Sequence, residues 1–173
     1  MERRTGEPSA TSIQAIAREA GVVATSIYRR WPSKVPLIED AIFALDTGYT
    51  PPITGELRAD LLAWTRLFLQ RAADPAARTA IPGLLSAYHD DQSSYQRLLN
   101  QGEQPTRATL RQVVNEAVAK GQAAPDCDVD VLFELMRGAT LIRALTRGAE
   151  NADEFSEQIA DALVAVARTP AGR

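Results

Sequence analysis

At 173 residues and 45% hydrophobic side chains, the chain is long enough to bury a real core, which excludes global disorder. One cysteine, Cys127, rules out an internal disulfide and a cysteine-rich zinc site. With one histidine, His89, any metal site would be carboxylate-dominated, so neither a metal nor a cofactor is expected. The net charge of −3 is unevenly spread: residues 1–34 carry six basic against three acidic side chains, the remainder carries −6, and a polyanion would meet only the N-terminal part.

Frequent alanine, leucine, arginine and glutamate with only 6% aromatics lean towards helix. Thr11-Ser-Ile-Gln14 matches a capping box, in which the Thr11 hydroxyl accepts from the Gln14 amide and the Gln14 side chain returns to Thr11. Ile13, Ile16, Ala17 and Ala20 then recur at helical spacing, and Gly21 supplies a left-handed stop. A second short helix is expected over Thr25–Trp31, ended by Pro32. Ser33 is placed to cap a third, about Lys34–Thr47, with Pro36 tolerated in its first turn and a stripe of Val35, Ile38, Ala41, Ile42 and Leu45.

The break at Gly48-Tyr-Thr-Pro-Pro-Ile-Thr-Gly55 divides a head, 1–47, from a body, 48–173. Helical patterns follow at about 56–73, 76–88, 92–120, 128–147 and 153–167. The first buries Leu57, Leu61, Trp64, Phe68 and Leu69. Pro82 and Pro105 should kink or divide the second and third. The fourth is apolar nearly all round, with Val129, Val131, Leu132, Leu135, Met136, Ala139, Leu141, Ile142 and Leu145. The last sets Phe155, Ile159, Ala162, Leu163 and Val166 on one face. No strand-like alternation stands out, so the predicted fold class is all-α. No apolar run approaches a membrane span and no hydrophobic stretch follows Met1–Thr5, so neither a membrane segment nor a secretory signal is expected, and the expected compartment is the cytoplasm.

Two short helices that cross steeply need a small residue at the contact, a glycine at the turn and an aliphatic anchor on the second helix. Ala17, Gly21 and Ile27 supply these, with Ile16, Ala20 and Val22 filling the shared core. That spacing alone is common in helical chains. The run from the glycine onward is specific: Gly21-Val-Val-Ala-Thr-Ser-Ile-Tyr-Arg-Arg-Trp-Pro-Ser-Lys34 resembles the recognition segment of the TetR family, departing from its usual form only at Val23, Ala24, Thr25 and Ser26. The resemblance is strong over 11–45 and looser over the body, which is similar in length and hydrophobic layout.

The resemblance implies a transcription regulator, in its commoner mode a repressor, whose helix-turn-helix head binds double-stranded DNA. Tyr28 and Lys34 match phosphate-directed positions, and Thr11 matches the first cap, near the backbone. Thr25, Ser26 and Arg29 are candidates for base edges, because arginine bonds guanine bidentately and hydroxyls adapt to several bases. Arg30 is open between phosphate and a salt bridge; Trp31 and Ile27 read as core. Val23 stands where the family's serine would cap the second helix, a loss of roughly 1 kcal/mol, and Ala24 stands where its lysine would meet phosphate. Family members also carry an amphipathic helix before the motif. Met1–Ala10, holding Gly6 and Pro8 and almost no apolar residue, give no sign of it. Either the protein begins upstream or the head is reduced.

A helix as apolar as 128–147 needs cover on more than one side. The resemblance implies a homodimer built from the helices near 128–147 and 153–167, which places two recognition helices on a palindromic operator. A monomer with a buried central helix is the competing reading. The resemblance also implies a small apolar or amphipathic effector that releases the DNA; Trp64, Leu67, Phe68, Tyr88, His89 and Met136 are candidates to line its pocket, or else are simply core. His89, beside Asp90 and Asp91, equally suits surface ion pairing.

No phosphate-cradling glycine loop, Gly-x-Ser-x-Gly or paired-histidine spacing marks an enzyme. Asp126, Asp128 and Asp130 read as N-terminal charges of a helix rather than a calcium loop. The remaining alternative is a regulator-derived dimer that binds small molecules and no longer grips DNA.

Overall fold

The computed structural model describes residues 12–44 and 50–170. Among these the chain is helical without strands. The short helices α1 (Ile13–Glu19), α2 (Ala24–Arg30) and α3 (Lys34–Ala44) form the head. The body comprises α4 (Leu57–Ala73), α5 (Pro75–Asp90), α6 (Gln92–Arg97), α7 (Gln104–Ala119), α8 (Val129–Arg147) and α9 (Ala152–Arg168). Thr11 and residues 1–10, on which the capping-box and first-helix expectations fall, lie outside the described residues.

The observed cap of α1 is Ser12, whose hydroxyl accepts from the Ala15 amide at 3.2 Å, one residue later than the capping box predicts. Ile13 and Ala17 face inward and meet Ile27, with Ile16, Ala24, Trp31 and Leu37 packed around them. Two expected members of this core do not join it: Val22 is 47% exposed and Ala20 is also exposed. The turn explains both, because Gly21 sits at φ +67° and carries the chain away from α1 just after Ala20.

In the body, α4 is the central rod, packed along both α8 and α9 and touching α5 and α7. Its inward residues Leu57, Leu61, Trp64 and Leu69 fall on the predicted stripe, and Phe68 is half-buried. Leu57, Leu61 and Trp64 meet Leu110, Val113, Leu132, Phe133, Met136 and Leu163. The Phe68 ring lies 6.1 Å from Trp64 and edge-on to Phe133 at 5.9 Å. Asp60, 1% exposed, ties the approach to α4 by accepting from the Thr54 amide (2.9 Å), the Thr54 hydroxyl (2.6 Å) and the Gly55 amide (3.1 Å). Gly55 suits that place: it sits at φ +77°, and a Cβ there would run into the Lys120 ammonium, which donates to the Gly55 carbonyl.

The sequence reading holds at one proline and departs at the other. Pro82 does not divide α5, which is one continuous helix across it. The stretch over 92–120 is divided, as expected of the one holding Pro105, into α6, a π-helical turn over Leu98–Glu103, and α7, with Pro105 in the first turn of α7, where its missing amide costs nothing. On α9 the face turned inward is Ser156, Ala160, Leu163, Val164 and Ala167. Phe155 and Ile159 are half-buried, and Ala162 and Val166 are exposed. Asp128 caps α8 by accepting from the Asp130 and Val131 amides, as its position before the helix predicts.

Candidate nucleic-acid interface

The recognition segment folds as two crossed helices. The Gly21 amide donates to the Arg18 carbonyl at 3.3 Å and the Val22 amide to the Ala17 carbonyl at 3.0 Å, which ends α1 in a left-handed turn and starts α2 across it. The inward residues of α2 are spaced three and four apart: half-buried Ala24, buried Ile27 and half-buried Trp31 just past its end. That leaves Thr25, Ser26, Tyr28, Arg29 and Arg30 exposed, Tyr28 by 42%. No acidic residue lies on α2, so its open side carries hydroxyls, a phenol and two guanidiniums.

Val23 precedes α2 without a side-chain cap, as its lack of a hydroxyl predicts. Trp31 joins α2 to α3: its indole N–H donates to Asp40 Oδ2 at 2.7 Å, and the Arg30 guanidinium lies 4.7 Å from the ring centroid. Arg30, left open between phosphate and salt bridge, thus stacks on an aromatic face while remaining exposed. Lys34 is half-buried at the first position of α3, and Arg18 is exposed in the last turn of α1.

The residues put forward for an effector pocket do not form one group. Trp64 and Met136 belong to the fully packed body core, with Leu67 and Phe68 half-buried against it. Tyr88 is half-buried on α5 beside Glu39; burial, then that carboxylate's charge, pushes its hydroxyl well above the ordinary range. His89 is exposed near the end of α5, away from this core.

Sequence reasoning missed Glu39, which is 3% exposed and paired with Arg97 of α6 at 3.0 Å. The available signal was its spacing: four residues after Val35, it falls on the inward side of α3, whereas Ala41, expected on that side, is exposed.

An N-terminal helix-turn-helix joined to a larger helical body is the architecture of a DNA-binding transcription regulator. The family models agree: one for bacterial regulatory proteins of the tetR family matches residues 7–41, and one for the tetracyclin repressor-like C-terminal domain matches residues 51–163. The DNA-binding transcriptional repressor TetR of Mycobacteroides abscessus is 30% identical over 94% of this chain and 85% of that protein. The uncharacterized HTH-type transcriptional regulator Rv1556 of Mycobacterium tuberculosis is 27% identical over 78% of this chain and 66% of its own length. Among solved structures, the TetR family transcription regulator SCO0332 superposes with a TM-score of 0.69 at 28% identity, covering 92% of this chain and 88% of the other. The chain belongs to the TetR family of transcription regulators.

Proposed function

We propose that the protein binds a palindromic operator as a homodimer, with α2 in the major groove, and that a small apolar or amphipathic effector releases it. The observation that carries this reading is the polarity of α2: Ile27 is its one fully buried residue, while Thr25, Ser26, Tyr28, Arg29 and Arg30 all face outward. In this reading Thr25, Ser26 and Arg29 meet base edges, Tyr28 and Lys34 meet phosphate with Thr11 nearby, and Arg30, braced on Trp31, serves the backbone. The head spans 1–47 and the body 48–173.

Dimerisation is supported by apolar side chains left open on two neighbouring helices. Val131, Leu135 and Ile142 of α8 are 45%, 47% and 61% exposed, and Val166 of α9 is 37% exposed. A second copy covering this surface sets the two recognition helices a fixed distance apart. The effector site lies in this reading where half-buried Leu67 and Phe68 border the Trp64 and Met136 core; Tyr88, beside Glu39, and the exposed His89 drop out.

Fluorescence anisotropy on labelled DNA from upstream of the chain's own coding sequence tests the whole. Tight binding that weakens steeply with salt, by a particle of twice the chain mass, is expected. Absent or salt-insensitive binding by a folded dimer would favour the regulator-derived small-molecule binder, to which the uncapped start of α2 lends some support.

A further inference from the structure

Among the described residues, the largest buried apolar cluster of the head and that of the body are distinct. Where α3 packs on α5 and reaches the end of α6 through Glu39 stands a chain of charges. The Glu39 carboxylate, 3% exposed, accepts from Arg97 Nε through Oε2 at 3.0 Å. Arg97 also donates through Nη2 to the Ser94 hydroxyl at 2.8 Å, and Ser94 in turn donates to Asp91, the cap of α6, at 2.6 Å. The guanidinium is therefore held at two points before it reaches the head. The Tyr88 hydroxyl of α5 also faces the Glu39 carboxylate, so a phenol and the Arg97 guanidinium meet it, and Arg97 supplies the charge balance.

The location of Arg97 adds a second element. It is the last residue of α6, directly before the π-helical turn Leu98–Glu103. The residue that ends this turn, Glu103, is also a buried carboxylate, 5% exposed. It is paired with Arg137 of α8 and with Arg107 of α7, the latter at 3.3 Å. Arg107 goes on to Asp130 at 2.8 Å and to Glu134, both on α8. A π-helical turn is a rare, wide register that recurs at functional sites. An ion pair thus flanks the turn on each side: Arg97, just before it, reaches the head at Glu39, and Glu103, at its end, reaches α8 at Arg137.

We infer that Glu39 and Arg97 form a positioning pair that fixes the angle of the head on the body, and that the π-helical turn links this pair to α8 through Glu103 and Arg137. A shift of α8 that pulls on Glu103 turns Arg97 about the helix axis and takes the donor away from Glu39. A carboxylate left unpaired in that buried joint is costly, so the head moves until it is solvated. The pair thereby couples the body's state to the spacing of the two recognition helices. The DNA half of this inference rests on the operator-binding reading above; the mechanical half does not.

Two measurements test it on the full-length protein: hydrogen exchange of the free protein, and binding to an operator series whose half-site separation changes one base pair at a time. E39Q is expected to speed exchange of the α3 amides about tenfold, as loss of one charged hydrogen bond implies. It should also flatten the preference for one separation while exchange in α8 and α9 stays as in the parent. R97Q strands the Glu39 carboxylate without its cation and should exceed E39Q in both effects, and the double variant should show no more than R97Q alone. If E39Q does not fold, R97K keeps the charge but loses the forked geometry and takes its place. Unchanged α3 exchange with an equally sharp separation preference would overturn the inference, as would single effects that simply add. Should the parent protein prefer no separation over random DNA, the operator reading falls and the exchange result alone decides the pair.

Discussion

Ile27→Ala probes how far the head stands on its own. The side chain is 7% exposed and is one of three buried members of the head cluster, against Ile13 and Ala17. Truncation to alanine removes three carbons, worth about 2.4 kcal/mol at roughly 0.8 kcal/mol for each buried methylene, and leaves a cavity whose cost adds to that. The surroundings temper the cavity cost, because half-buried Ile16, Ala24, Trp31 and Leu37 have room to collapse inward. A total of about 3 kcal/mol follows, or roughly a hundredfold in the local opening equilibrium. Hydrogen exchange of the free protein reads this directly: amides in α1 and α2 should exchange about a hundredfold faster, while those of α4, α8 and α9 keep their protection. Ile27→Val, losing one methylene, should shift the same amides by about fivefold, corresponding to about 1 kcal/mol. Equal acceleration in the body would refute the reasoning, since it would mean that the head core opens only with the whole molecule. Unchanged head protection would refute it from the other side.

Lys34→Ala is expected to weaken binding to every DNA sequence alike and to lower the salt slope by about one, whereas Arg29→Ala should relax preference at a single base position; anisotropy titrations at several salt concentrations distinguish the two. Ile142→Asp places a charge on the most exposed apolar side chain of α8 and should convert a dimer to monomer in light scattering at micromolar concentration, with helicity retained. Asp60→Ala removes the acceptor of three donors from Thr54 and Gly55, which should cost about 2–3 kcal/mol in denaturant unfolding. The Asp91 carboxyl is lowered from 3.8 to about 2 by hydrogen bonds from Ser94 and Ser93. A depressed folded-state pKa means that its support of α6 is complete above the unfolded value and fades as pH falls from about 4 towards 2. Exchange of the α6 amides should follow that fade, and Asp91→Asn should abolish it.

Periodicity encodes some features of this molecule and is blind to others. The inward stripe of α4 was readable because Leu57, Leu61 and Trp64 repeat at helical spacing and are all buried. Gly21, Ile27 and the open residues of α2 were readable because the motif's geometry restricts which residue types fit. Three things were hidden. Glu39 is an acid in a buried position, and apolar patterning cannot register a carboxylate whose partner, Arg97, lies 58 residues away. The π-helical turn leaves no compositional mark, since Leu98–Glu103 reads as ordinary helix until the register is seen. The face of α9 was misread because Ser156, Ala160 and Ala167 are small rather than greasy. They let α9 approach α4 closely, so the larger Phe155, Ile159 and Val166 lie on its flank and outer side.

The division of cores explains why such a molecule suits regulation. Among the described residues the body cluster holds fifteen buried apolar residues and the head cluster three, and Glu39, Arg97 and Tyr88 stand where α3 meets α5 and α6. An apolar seam transmits displacement poorly into rotation, because its energy depends on buried area and hardly on direction. An arginine–carboxylate contact is directional, and it loses its value within a few tenths of an ångström and some tens of degrees. A joint that includes such a contact therefore has an element with two settings, made and broken, which a purely greasy joint would lack. The head's own core is small enough to move as a unit, and the exposed hydroxyls and guanidiniums of α2 move with it. On this logic, replacing both Glu39 and Arg97 with leucine should leave stability close to that of the parent, since a buried ion pair exchanged for apolar packing is often neutral. It should nonetheless abolish the sharp preference for one half-site separation. A double-leucine variant with parent-like discrimination would show that packing alone aims the head.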